Sequence, residues 1–314
     1  MTTAAATVAR PASSPTRRLR EWIANPWGKP RFLVLVTIAY LVWSIVPILI
    51  AIRFSFNAGR SRSAAQGWSF RWYWQDQDLS VWHDSDLRSA LFQSMRLAGL
   101  AVAITVPLGV ALAIGLTRWR GWAARPARFV SLVPLVTPEI VAGVALFLVF
   151  VYVLKFISLG TTAQAIGHVT FSVSFVLIIV RARLISIGPH YEEAAQDLGA
   201  SPVQALRLAL LPMLTPAIVA SAITVFAISM DDFVISSFLS SGSTTDTVPV
   251  RIYSTGRTAP TPALNALATV TLAITIVIAV LAFLVWRVVQ RRRGRGGSTL
   301  HEFAQLDAET TRLG

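Results

Sequence analysis

FQSMRLAGLAVAITVPLGVALAIGL, residues 92–116, is an apolar run with a single charge, Arg96, near its start. A helix rises about 1.5 Å per residue, so about 20 such residues cross the hydrocarbon of a bilayer. Five more runs of the same kind flank it, at 32–52, 129–154, 163–180, 213–238 and 264–286. The run at 163–180 is the shortest and carries Gln164 and His168. Pro47, Pro107, Pro134, Pro138 and Pro216 fall inside these runs, where proline is tolerated if neighbouring helices surround it. The pattern predicts an all-α integral membrane protein with six transmembrane helices.

Composition agrees. Of 314 residues, 54% are hydrophobic and 14% charged, and the mean hydropathy is +0.61; soluble domains carry about a quarter charged residues. There is no cysteine, which excludes disulfide frameworks and thiolate metal sites. His83, His168, His190 and His301 have no i, i+4 spacing, and neither lysine, Lys29 or Lys155, sits in a phosphate-binding G-x-x-x-x-G-K-[ST] loop. No catalytic set, metal cluster or cofactor loop is legible, so the chain is read as a non-enzyme that holds no cofactor itself.

The net charge of +13 would suggest nucleic acid in a soluble protein. Here most basic residues fall in alternate links: Arg10, Arg17, Arg18, Arg20, Lys29 and Arg31 before the first run, then Arg118, Arg120, Arg125 and Arg128, then Arg181, Arg183 and Arg207, then Arg287 to Arg295 and Arg312. The positive-inside rule therefore predicts a multi-pass membrane protein with both termini cytoplasmic. Residues 1–31 read as a disordered basic tail, 32–286 as the membrane domain and 287–314 as a second basic tail. Arg17-Arg18 hints at a twin-arginine signal, but the run from Phe32 is too long for one and reads as a retained span. The outer link 53–91 carries Trp68, Trp72, Tyr73, Trp74 and Trp82, either as an interfacial aromatic belt or as a docking surface for a soluble partner.

Residues 189–212, PHYEEAAQDLGASPVQALRLALLP, form the long polar link on the predicted cytoplasmic side. Pro189 suits a helix start. Tyr191, Ala194, Ala195 and Leu198 share one helical face. Gly199 can close the helix in the left-handed conformation, Ser201 caps the next piece, and Pro202 opens it. Val203, Leu206 and Leu210 continue an apolar face, and Pro212 precedes the fifth span. A helix lying on anionic lipid favours Lys and Arg. This one carries Glu192, Glu193 and Asp197, which suits a protein partner.

At these residues the chain resembles the permease subunits of ABC importers. Glu193-Ala194-Ala195, Gly199 and Leu211-Pro212 match their E-A-A loop in spacing; Ala209 departs where a larger β-branched residue is usual. The resemblance implies a type I permease fold with cytoplasmic coupling helices between the fourth and fifth spans. Glu193 would face a basic residue of a cytoplasmic ATPase, and Gly199 would be the elbow. It also implies ATP and Mg on a partner ATPase dimer, a second related permease and an extracytoplasmic binding protein.

The resemblance runs from about residue 31 to residue 286 and is closest to PotC-type subunits of spermidine/putrescine importers. It rests on Phe54-Ser55-Phe56-Asn57, Pro138-Glu139-Ile140-Val141, Ser229-Met230-Asp231-Asp232-Phe233, Pro249 to Ser254 and Asn265 to Thr269. Charges inside spans are costly and commonly line pathways or pair. Glu139 falls about 15 Å into the third span, with Asp231 and Asp232 toward the outer end of the fifth, and no Lys or Arg falls in mid-span. Together with Ser229 and Phe233 these acids are candidates for a polyamine pathway. Glu139 also reads as a hydrogen-bonded core residue, Asp231-Asp232 as a helix-end pair or a contact with the second permease, and His168 as a buried hydrogen-bonding residue. The alternatives are an importer of the same architecture for thiamine, iron or another small solute, or an ion-coupled secondary transporter, whose usual internal repeats are not evident.

Overall fold

The computed structural model describes residues 31–61, 64–258 and 261–294. Among these the protein is built from helices and links, with one isolated antiparallel bridge between Asn57 and Trp68. The expected tails lie outside the described residues except at their inner edges: the first helix, α1 (Arg31–Ser55), takes in Arg31, and the last, α12 (Pro262–Gly294), runs to Gly294. The chain divides into two units, residues 1–51 and 52–314. The described part of the first lies in α1, a single helix that accommodates Pro47.

In the second unit, α2 (Ser85–Arg118) is the longest helix. Asp84 caps its start, accepting from the N–H groups of Asp86 and Leu87. It is followed by α3 (Ala124–Val130), α4 (Val133–Val136) and α5 (Glu139–Leu148), the last continuing into a wide π turn at Val149–Val153. The remaining helices are α6 (Thr161–Ile187), α7 (His190–Asp197), α8 (Pro202–Gln204), α9 (Leu211–Asp231), α10 (Val234–Leu239) and α11 (Val248–Thr258). Five helical rods are long and apolar enough to cross a membrane, and the bent pair 124–136 with 139–153 makes six if it is counted as one span. The expected single third helix is thus a broken one, bent by 106°. The cause is local: Pro138 has no N–H to donate, and it drives Thr137 into an extended conformation (ψ 129°).

The core of the second unit is the packing of α2 against α6 and α9. Val106, Val110, Ala113 and Leu116 of α2 meet Val176, Val180 and Leu184 of α6 and Leu214, Ala217 and Val225 of α9. Small residues let these helices approach, as membrane packing requires. A methyl group at Gly109 would come within 2.5 Å of Val176. Outward faces are apolar too, with Ile276, Val280, Leu281 and Leu284 of α12 exposed, as suits a helix whose solvent is lipid.

The link between α1 and α2 is folded. Asn57 donates from Nδ2 to the carbonyls of Ser61 and Ala64 and accepts at Oδ1 from the Gln66 N–H. Its own carbonyl accepts from Trp72 Nε1 at 2.6 Å. Trp72 is buried against Val81, Leu87, Val248 and Leu264, so it belongs neither to a belt nor to a docking surface. Trp68, Trp74 and Trp82 are exposed.

Candidate functional site

Two places collect the residues singled out by the sequence. The first is the elbow after α6. Gly188 (φ 71°) ends α6 and Gly199 (φ 89°) ends α7, both in the left-handed region that glycine enters freely. Pro189 stands just before α7 as its cap residue rather than inside its first turn. Ser201 caps α8 in a full capping box with Gln204, the side chain of each bonding the other's backbone N–H. The second piece is not a separate helix. It passes through a π turn at Ala205–Leu210 directly into α9, so Pro202–Asp231 is one rod. Pro212, lacking an N–H, sits just after that turn, where wide turns absorb a missing bond. Glu193 and Asp197 are exposed, and so are Tyr191, Leu198, Val203 and Leu208; Leu206 and Leu210 pack inward. Glu192 is instead engaged by Arg118 of α2.

The second place lies where two broken helices meet. The bend before Glu139 faces the break between α9 and α10, where Asp232 is extended (ψ 117°). Gly143 of α5 leaves room for Phe238 and Val234 of α10. Asp232 Oδ2 accepts from Ser236 N at 2.8 Å and Ser236 Oγ at 2.7 Å, and lies 3.2 Å from His168 Nε2. His168 Nδ1 lies 2.6 Å from Ser229 Oγ. His168, Asp232, Ser229 and Ser236 are all buried. The Glu139 carboxyl, half-buried, reaches toward Asp232. The expectation of uncompensated acid therefore fails for Asp232, whose Oδ2 is held by Ser236 of α10 and by His168. Its partner within the spans is a histidine and not a Lys or Arg.

Asp231 faces the other way. It is exposed and lines an open pocket of about 670 Å³ with Met230, Phe233, Tyr253, Thr271 and Thr275. The Phe233 and Tyr253 rings are 4.8 Å apart, and the Arg257 guanidinium lies 4.4 Å over Tyr253. Tyr253 and Arg257 were not singled out as site residues in the sequence; their i, i+4 spacing on α11 is the signal that was there to find. Close by, Gln93 of α2 donates to Thr161 and Gln164 of α6, and Gln164 donates to the carbonyls of Ser236 and Thr245. This network satisfies the polar groups of the fourth span.

The family described as "Binding-protein-dependent transport system inner membrane component" matches residues 105–295. The chain belongs to this family of ABC importer permeases. Among its relatives, the putrescine transport system permease protein PotI of Escherichia coli (strain K12) is 31% identical over 274 residues, covering 86% of this chain and 92% of PotI. The spermidine/putrescine transport system permease protein PotC of Haemophilus influenzae is 34% identical over 252 residues, covering 80% and 94%. A chain of a bacterial ABC transporter involved in the import of the acidic polysaccharide alginate superposes with a TM-score of 0.67 at 17% identity, covering 86% of this chain and 96% of that one. At that identity the likeness is one of fold. This permease is accordingly a multi-pass inner-membrane component of type I architecture.

Proposed function

We propose that this permease forms half of the transmembrane pathway of an ATP-driven polyamine importer. The observation that carries the substrate is the pocket at the end of α9, where Asp231 lies beside the Phe233–Tyr253 pair. Carboxylates supply charge-assisted acceptors for ammonium groups, and aromatic faces attract cations. Asp231 and Phe233 line the route, Glu139 lies behind it against Asp232, and Asp232 and Ser229 hold its wall through His168. The names of PotI and PotC agree with that chemistry.

In this reading both termini are cytoplasmic, and α7 with the start of the α9 rod is the coupling element. Its exposed Tyr191, Leu198 and Val203 around Glu193 suit a groove on an ATPase. That ATPase, a dimer, would bind ATP and Mg; a second permease would complete the pathway, and an extracytoplasmic binding protein would deliver substrate.

The test is reconstitution of the complete transporter in liposomes, with uptake of labelled spermidine measured beside thiamine and Fe³⁺. ATP-dependent spermidine uptake is expected. ATP-driven uptake of thiamine or iron alone would keep the coupling and discard the polyamine route. Uptake that follows an ion gradient without ATP would discard both.

A further inference from the structure

Glu192 and Glu193 are neighbours in the first turn of α7, but their surroundings differ. Glu193 is exposed, and its one ion pair among the described residues is with His190 at 3.7 Å. Glu192 turns back to the bundle and pairs with the guanidinium of Arg118, the last residue of α2. Its side chain is 16% exposed there, against 64% for Glu193. Each charge also suits its own helix, the cation at the C-terminus of α2 and the anion at the N-terminus of α7.

The position of this pair gives it more than local meaning. α7 hangs between two left-handed glycines, Gly188 and Gly199, and a short helix between such joints can pivot. Among the described ion pairs, Arg118–Glu192 is the one joining α7 to α2. α2 is firmly held. Arg128 of α3 donates to Leu116 O in its last turn at 3.0 Å and to its cap residue, Trp119 O, at 2.9 Å. At its other end Asp86 pairs with Arg251 of α11 at 2.6 Å, and Gln93 bonds Gln164 at 2.9 Å. α11 carries Tyr253, and Gln164 holds the carbonyl of Ser236. One rigid helix thus touches α7 at one end and the surroundings of the acid pocket at the other.

We propose that Arg118 is a positioning residue for coupling: its bond to Glu192 sets the angle of α7 and makes α2 a carrier of the ATPase stroke, beside the covalent route through α6 and α9. This rests on the coupling reading of α7 given above. A half-exposed pair adds little to fold stability, so its loss leaves the bundle assembled and shows in the coupling.

The experiment uses the complete reconstituted transporter and reads spermidine uptake and ATP hydrolysis in the same vesicles. Arg118→Glu and Glu192→Arg are each expected to lower solute moved per ATP by about tenfold, with hydrolysis retained. The double reversal restores the ratio, and Arg118→Lys keeps most of it. An unchanged ratio in both single reversals overturns the proposal. So does a double reversal no better than the singles, or single reversals that fail to assemble, which would make the pair a determinant of folding. Wild-type uptake that needs no ATP would overturn the coupling reading itself, and the proposal with it; that failure is distinguishable because it appears in the wild type.

Discussion

Asp231 and Asp232 are adjacent in sequence and opposite in role. The sequence shows two acids at the end of a span. It does not show that the chain leaves the helix between them, which sends one carboxylate into a buried network and the other into an open pocket. Asp231→Asn is expected to weaken spermidine uptake about tenfold, on the scale of one charge-assisted contact, with normal yield of assembled transporter. Asp232→Asn should act on folding instead, because the bonds from Ser236 and the contact with His168 lose their charged acceptor and a buried amide NH2 replaces the other oxygen; a loss of about 1–3 kcal/mol would be read as a lower Tm in detergent. Equal yields for the two variants would reverse this assignment. A different logic governs Asp76, in the link between α1 and α2. Burial raises its carboxyl pKa, but hydrogen bonds from the Leu79 and Asp78 N–H groups and from Arg71 outweigh that and hold it below the usual carboxylate range. Its stabilisation is therefore complete above the ordinary carboxylate pKa and is lost as pH falls through the lowered value. Asp76→Asn should make the link more sensitive to proteolysis at pH 7, with the difference from wild type gone in strong acid.

At the scale of elements, the elbow was the most legible part. Gly199 and the Ser201 cap follow local rules that act within a few residues, and both stand as expected; the acid pair divides, Glu192 turning to Arg118 while Glu193 stays exposed. The π turn and the unbroken rod from Pro202 to Asp231 were not legible, because Pro212 reads as a boundary although a wide turn accommodates it. The break at Thr137–Pro138 was missed for the opposite reason: proline inside a span is commonly tolerated, and Pro138 reads in the sequence like Pro107, which its helix accommodates unbroken. Two substitutions separate the elbow's parts. Glu193→Ala removes an exposed acid that contacts no other helix, so the chain should assemble normally while ATP hydrolysis continues with little uptake. Gly199→Ala meets no atom within 4 Å, but its φ of 89° costs a side chain about 1 kcal/mol. It should weaken coupling more mildly than the loss of Glu193. Uptake at the wild-type rate in Glu193→Ala would remove that residue from the coupling contact.

For the whole molecule, apolar runs revealed how many segments cross the bilayer, but not which faces pack, since lipid-facing and core-facing residues have the same hydrophobicity. The glycines of α2 show the difference. Gly109 lies against Val176, and Gly115 has nothing within 4 Å. Gly109→Ala is expected to destabilise the bundle by about 1–3 kcal/mol through overpacking. Gly115→Ala should be neutral or stabilising by up to about 1 kcal/mol through helix propensity. Tm values shifting in opposite directions would support the observed α2–α6 contact; a fall of equal size in both would contradict it.

The polar groups of the fourth span bear on biogenesis. Gln164 finds its partners in Gln93, already synthesised, and in Ser236 and Thr245, still to come; those of His168 are Ser229, Asp232 and Ser236. While the ribosome is still translating the fifth span, α6 must therefore hold an unmatched imidazole and a half-matched amide in or beside the translocon, where such groups disfavour release into lipid. Integration of the fourth span is expected to wait for the fifth. A nascent chain stopped before residue 229 would present quality-control proteases with a span that has entered the membrane without settling there.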